Sequence, residues 1–194
     1  MMETGLLILA AGNSSRLGEP KQLLKFNGKT LLRNVVEEAK KVSESIIVVT
    51  GSGHTDIVEE IKDLEVKIVE NIKWNQGMGS SINIGMIQLL NEFPEVQNVI
   101  VSVCDQPFII ASVFSDLIQI QKDSLKGIVA SKYSDTLGTP VLFTEKYFQE
   151  LSSLSGKEGA KKMILKFKDD VAEIKFEKGA IDIDTQSDYQ KLIQ

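Results

Sequence analysis

The chain has 194 residues, 42% hydrophobic and 25% charged, with a formal net charge of −5. That length suits one domain with a sizeable core, expected to span residues 1–194. The charges are interspersed, without a basic block or a basic stripe carrying aromatics, which argues against nucleic acid as a partner. An anionic ligand would therefore be held by a few local cations and backbone N–H groups. Cys104 is the single cysteine, so no intrachain disulfide can form, and a cytoplasmic location is expected. The first apolar run, GLLILA, is too short to span a membrane and lacks a basic region before it.

The same run reads as a strand buried on both faces. TLLRNVVEEAKKV follows with helical spacing, then the strand SIIVVTG, the helix HTDIVEEIKDL and the strand VKIVEN. GSSINIGMIQLLNEF is a helix opened by small residues, NVIVSVCD a strand ending in an aspartate, ASVFSDLIQIQKD a helix and GIVASKY a strand. Beyond it, GTPVLF and VAEIKF read as strands, and EKYFQEL and KEGAKKMILKF as helices. AIDIDTQSDYQKLI reads as a short strand running into a capped helix. Strand and helix alternate, which predicts an α/β fold: a three-layer α/β/α sandwich on a mostly parallel, Rossmann-like sheet. Such sheets bind ligands at the carboxyl ends of their strands. The segments AAGNSSRLG, TGSGHTD, ENIKWNQGMGSS and CDQPF are therefore the ones to read for chemistry.

Ala10, Ala11 and Gly12 have little or no side chain and let backbone approach a ligand. The loop from Gly12 to Gly18 can wrap N–H groups around an anion, with Ser14 and Ser15 as further donors. Arg16 supplies a planar fork and Lys21 a point charge. The spacing is not that of a Walker A loop, since Glu19 follows Gly18 where that motif requires Lys. The competing reading is a polar loop with solvated charges. Asp105, at a strand end and followed by Gln106-Pro107, is either a turn residue or a carboxylate facing the ligand crevice. Asp182 and Asp184 lie two apart, so on a strand they share a face. Thr185 is a helix cap, with Asp188 three residues on as a structural partner. TGSGHTD imitates a dinucleotide fingerprint but carries Asp56 where the third glycine belongs, which argues against a nicotinamide enzyme. His54 is the single histidine, so a zinc site or serine triad built on it lacks partners.

LAAGNSSRLGEPKQLL resembles the LAAGxSxRxGxxK signature of the MobA-like nucleotidyltransferases, which join a nucleotide to a phosphorylated acceptor. GMGSSINIGM, CDQPF, GTPVLF and DIDTQSDY resemble further family segments in family order, so the likeness covers nearly the whole chain. AAG after the first strand resembles the cytidylyltransferase branch, which makes molybdopterin cytosine dinucleotide from CTP; the guanylyl branch carries AGG. The Ala11 methyl would narrow the base pocket, which is worth about 1–3 kcal/mol of discrimination. The resemblance implies Mg²⁺ held by Asp105 and Asp184, and catalysis by Arg16, Lys21 and Asp105. Nucleotide contacts are expected from Leu9, Ala10, Ala11, Gly12, Ser14, Ser15, Arg16, Lys21, Gly51, Asn71, Gly77, Ser80 and Ser81. GMGSS is similar to the family's second-substrate loop, and Trp74 beside it reads as packing. The expected partners are CTP, a molybdopterin-type acceptor and a recipient molybdoenzyme. Lys157, Lys161 and Thr139 depart from the family pattern on the acceptor side. A sugar- or alcohol-phosphate nucleotidyltransferase and a non-catalytic cofactor chaperone are the alternatives.

Overall fold

The computed structural model describes residues 3–193. The first apolar run forms β1 (Glu3–Leu9), whose side chains alternate between two separate cores. Leu6 and Ile8 enter one and Leu7 and Leu9 the other, the period-2 placement a doubly covered strand requires. β1 lies centrally in a seven-stranded sheet. On one side stand β4 (Ile46–Thr50) and β5 (Lys67–Glu70); on the other stand β6 (Val96–Val103), β8 (Thr136–Thr144), β7 (Ile128–Tyr133) and β9 (Val171–Lys175). Six strands share one direction, and β8 runs against them between β6 and β7.

Helices cover both faces. α1 (Leu31–Lys40), α2 (His54–Ile61) and α4 (Ala111–Ser124) bury their apolar sides on one. α3 (Met78–Glu92), α5 (Phe148–Leu151) and α6 (Ala160–Lys166) cover the other. Each fully buried Leu, Ile or Val contributes about 1.5–3 kcal/mol. The expected three-layer α/β sandwich is what forms. Gly85 brings α3 close to the sheet: a Cβ there would lie 2.3 Å from Leu7 Cδ1 and 2.7 Å from Val49 Cγ2.

A hairpin of β2 (Lys25–Phe26) and β3 (Lys29–Thr30) was not in the sequence reading. Its turn is Asn27-Gly28 with φ of 54° and 83°, the left-handed pair that Asn-Gly favours. Thr30 then caps α1 by accepting from the Arg33 N–H at 3.1 Å. A third, small apolar cluster of Leu17, Leu24, Leu31 and Ile183 packs the loop after β1 against α7 (Gln186–Ile193). One expectation is corrected here. AIDIDT is not a strand: the chain makes a 3₁₀ turn over Glu177–Ala180 and then runs outside the ladder. Burial of Ile183 in the small cluster and a bond from its N–H to the Asp105 carbonyl at 3.0 Å guide it instead.

Candidate active site

The loop after β1 is organised from within. Ser14 takes a left-handed conformation (φ 52°), and its carbonyl accepts from the Leu17 and Gly18 N–H groups at 2.9 and 3.2 Å. Its hydroxyl accepts from the Lys21 N–H at 3.0 Å. Gln22, only 1% exposed, donates through Nε2 to the carbonyls of Ala10 at 2.8 Å and Gly12 at 2.7 Å. Those carbonyls flank Ala11, so the Gln22 amide fixes the backbone there.

Four charged side chains converge where this loop meets the carboxyl end of β6. The Lys21 ammonium donates to Asp105 Oδ2 and, at 3.1 Å, to Asp184 Oδ1. Arg16 Nη2 donates to Asp184 Oδ2 at 2.6 Å. Lys21 and Asp105 are each 18% exposed at the side chain, whereas Arg16 is 71% exposed. Burial works to lower the Lys21 pKa, but the Asp105 charge and the bonds to both carboxylates outweigh it and raise it above the usual lysine range. Burial likewise works to raise the Asp184 carboxyl, and Lys21 and Arg16 overcome it, leaving that carboxyl below its usual range. Asp182 has no cation in contact among the described residues. Partial burial and the charges of Asp105 and Asp184 hold its carboxyl above the ordinary range. The structure thus separates the two aspartates that sequence spacing left together.

Two hollows meet at this point. A cleft of about 530 Å³ is lined by Leu9, Ala10, Ala11 and Gly12 on one side and Trp74, Asn75, Gly77, Met78 and Ser81 on another, with Val103, Cys104 and Asp105 at the strand end. A smaller hollow of about 220 Å³ lies within the loop, lined by Ser14, Ser15, Arg16 and Asp184. Gly12, Asn13 and Lys21 belong to both. Gln22 and Asn13 were missed from sequence; a Gln directly after the lysine is a signal only once its backbone targets are known.

Other expected residues take supporting places. Asn71 is buried and donates through Nδ2 to Ser80 Oγ at 2.8 Å and Ser81 Oγ at 2.9 Å, so it braces the start of α3. Ser81 lines the cleft; Ser80 instead donates to the Gly77 carbonyl at 2.8 Å. Gly51 lines neither hollow, because it packs behind Trp74 and the Ala11 carbonyl. Gly77 (φ 117°) and Gly79 let the segment around Gly156 lie directly on them. Burial and the Asp105 charge push the Cys104 thiol up to about 12, so it is no thiolate nucleophile. His54 Nδ1 pairs with Thr50 Oγ1 at 2.7 Å and lines neither hollow. Asp188 accepts from the Thr185 N–H and hydroxyl at 2.9 and 2.7 Å, the structural role expected of it.

A family model for the MobA-like NTP transferase domain matches residues 6–171. The chain belongs to that family. Among curated relatives, a probable molybdenum cofactor guanylyltransferase of Bacillus cytotoxicus is 34% identical over 104 residues, 52% of this chain and 48% of the relative. One of the same name from Bacillus cereus is 28% identical over 126 residues, 63% of this chain and 59% of the relative. The chain thus spans about half the length of the curated relatives it matches. Among solved structures, Rv0371c of Mycobacterium tuberculosis superposes with a TM-score of 0.82 at 25% identity, covering 99% of this chain and 97% of that one.

For this MobA-like chain the donor set can be tested against a divalent ion. No group of three or more metal-ligating side chains exists among the described residues. Asp105 and Asp184 do converge on a single cation, the Lys21 ammonium. Two carboxylates completed by phosphate oxygens and water are what Mg²⁺ takes, so the residues present fit it.

Proposed function

We propose that this protein is a single-domain nucleotidyltransferase that moves a nucleoside monophosphate from an NTP to a phosphorylated acceptor of the molybdopterin type, releasing pyrophosphate. The observation that supports this best is the convergence of Arg16, Lys21, Asp105 and Asp184 beside a loop of close-packed backbone at the strand ends. An acceptor phosphate oxygen attacks the α-phosphorus, and the bond to the β-phosphate oxygen breaks. The acceptor is already ionised at neutral pH, so no general base is needed. Arg16 and Lys21 bind the triphosphate oxygens, and the loop N–H groups orient them. Asp105 and Asp184 would hold a divalent ion such as Mg²⁺, which when bound supplies Lewis-acid neutralisation of phosphate charge.

The base has two readings. The curated relatives are named guanylyltransferases, which leans toward GTP and away from the CTP expected from the sequence. What still favours CTP is the AAG of Ala10–Gly12, the cytidylyl-like sequence, together with the place of Ala11 on the cleft lining. A recipient molybdoenzyme and a cytoplasmic setting complete this reading.

Pyrophosphate release measured across the four NTPs, with magnesium and with or without molybdopterin, tests it. Release that depends on both an NTP and molybdopterin is expected, and the preferred NTP assigns the base. Nucleotide binding without release under any combination would favour the non-catalytic chaperone. Release with a sugar phosphate but not with molybdopterin would favour the alternative acceptor class.

A further inference from the structure

Trp74 is the chain's single tryptophan, and it does more than pack against the core. It opens a 3₁₀ turn between β5 and α3 and is half-buried on the wall of the larger cleft. Its mounting is rigid. The Trp74 N–H donates to the Asn71 carbonyl and its own carbonyl accepts from the Gly77 N–H, both at 3.1 Å. Behind it lies Gly51, where a Cβ would come within 2.7 Å of Trp74 Cβ and 2.8 Å of the Ala11 carbonyl oxygen. Only a residue without a side chain lets Trp74 and Ala11 close up across that point. Beside Trp74, Asn75 lines the same cleft and is exposed, and its side-chain amide has no protein partner among the described residues.

A fixed aromatic wall next to an uncommitted amide is suited to a flat heterocycle with polar edges. The nucleobase is the heterocycle these contacts fit, because Gly12, Asn13 and Lys21 join this cleft to the phosphate hollow. One nucleotide with its phosphates in that hollow carries its base into the cleft. We propose that the nucleobase packs on the Trp74 ring, that Asn75 reads the base edge, and that Gly51 is a positioning residue acting through Trp74. The proposal rests on the nucleotide-binding reading above.

The single tryptophan is its own reporter. Indole emission is followed while the wild-type protein is titrated with CTP, GTP, inorganic tripolyphosphate and molybdopterin, and binding is measured in parallel by calorimetry. CTP or GTP should change the emission saturably, at the calorimetric midpoint, while tripolyphosphate binds with the emission unchanged. Trp74→Ala should weaken the nucleotide by about 5- to 150-fold, the range of base–aromatic stacking, and leave tripolyphosphate unaffected. Gly51→Ala should act in the same direction, and Trp74→Phe, which keeps a ring, should retain most of the affinity. Should Trp74→Ala unfold, the wild-type titrations and Trp74→Phe still decide. Nucleotide binding seen by calorimetry with emission no different from the tripolyphosphate titration overturns the proposal and leaves the nucleotidyltransferase reading standing. So does an emission change produced by molybdopterin alone, which would give the ring to the acceptor. No nucleotide binding by calorimetry defeats both.

Discussion

Removing the Lys21 ammonium leaves Asp105 and Asp184 facing one another without the cation they share. Lys21→Ala should weaken triphosphate binding by tenfold or more, from a charge-assisted contact worth about 1.5–3 kcal/mol, and weaken monophosphate binding far less. Equal losses by calorimetry would make Lys21 a bystander. The variant should also acquire a pH signature. In wild type, the Lys21 contribution is fully present below the unfolded lysine value of about 10.4 and lost only as pH rises through its higher folded value. The Asp184 contribution is present above about 3.9 and lost as pH falls through its lower folded value. Between those limits this cluster gives a flat profile. Without Lys21 the two carboxylates lose the cation they share, so the variant should lose less stability than wild type as pH is lowered from neutral into the carboxylate range. Melting temperatures across that interval check the sign. A second expectation concerns Gln22→Leu, which strips donors from the Ala10 and Gly12 carbonyls. It should cost about 1–3 kcal/mol in denaturant unfolding and loosen nucleotide binding. The structure brings Lys21 to Asp105 and Asp184, and Arg16 to Asp184. In the sequence, Arg16, Lys21 and Asp105 were singled out by their match to the family signature, because charge after a strand end by itself left a solvated loop or a turn residue equally open. Gln22 was not, because a clamp on two carbonyls exists only once the loop has closed. Asp182 and Asp184 could not be told apart either, since spacing on an assumed strand gave them one face and the real segment has no ladder.

At the scale of elements, apolar runs located β1, β4 and β6 because both faces of each are largely buried and leave no room for polar alternation, whereas the edge strand β5 is only half-buried at Ile68 and Val69. The direction of β8 was not legible: an antiparallel insertion between β6 and β7 uses the same residue types as a parallel one. EKYFQEL was read as one helix and divides into a 3₁₀ turn and the short α5. Asp170 ties that region together just before β9, accepting from Lys146 at 2.8 Å, from the Tyr147 hydroxyl at 2.6 Å and from the Gly127 N–H at 3.1 Å. The bonds from Lys146 and Tyr147 overcome partial burial and hold its carboxyl at about 2. Its contribution is therefore present above about 3.9 and disappears as pH falls toward that lower value. Asp170→Asn should cost about 1–2 kcal/mol at neutral pH and flatten acid denaturation in that window. Matched urea titrations at neutral and acid pH read both effects.

For the molecule as a whole, the two large cores carry the sheet while the small cluster around Ile183 joins the loop after β1 to the C-terminal segment. That division lets the site loosen without the sheet melting. Ile183→Ala deletes a fully buried side chain between Asp182 and Asp184, a change that costs about 2–5 kcal/mol where a core cannot collapse. Hydrogen exchange should speed up over residues 14–24 and remain slow in β6. Equal acceleration in both would show that the small cluster is continuous with the cores.

Arg16, Lys21, Asp105 and Asp184 also sum to zero charge. A free divalent ion arriving there meets a quartet already neutralised from within, and must compete with Lys21 for both carboxylates. A triphosphate alters that balance, because its oxygens offer Arg16 and Lys21 another destination. On the nucleotidyltransferase reading proposed above, the consequence is an order of arrival, with nucleotide and metal entering as one species rather than metal first. Calorimetry should find magnesium binding weak on its own and at least tenfold tighter with a nucleoside triphosphate present. In Lys21→Ala, where the carboxylates are released, magnesium alone should bind more tightly than it does to wild type.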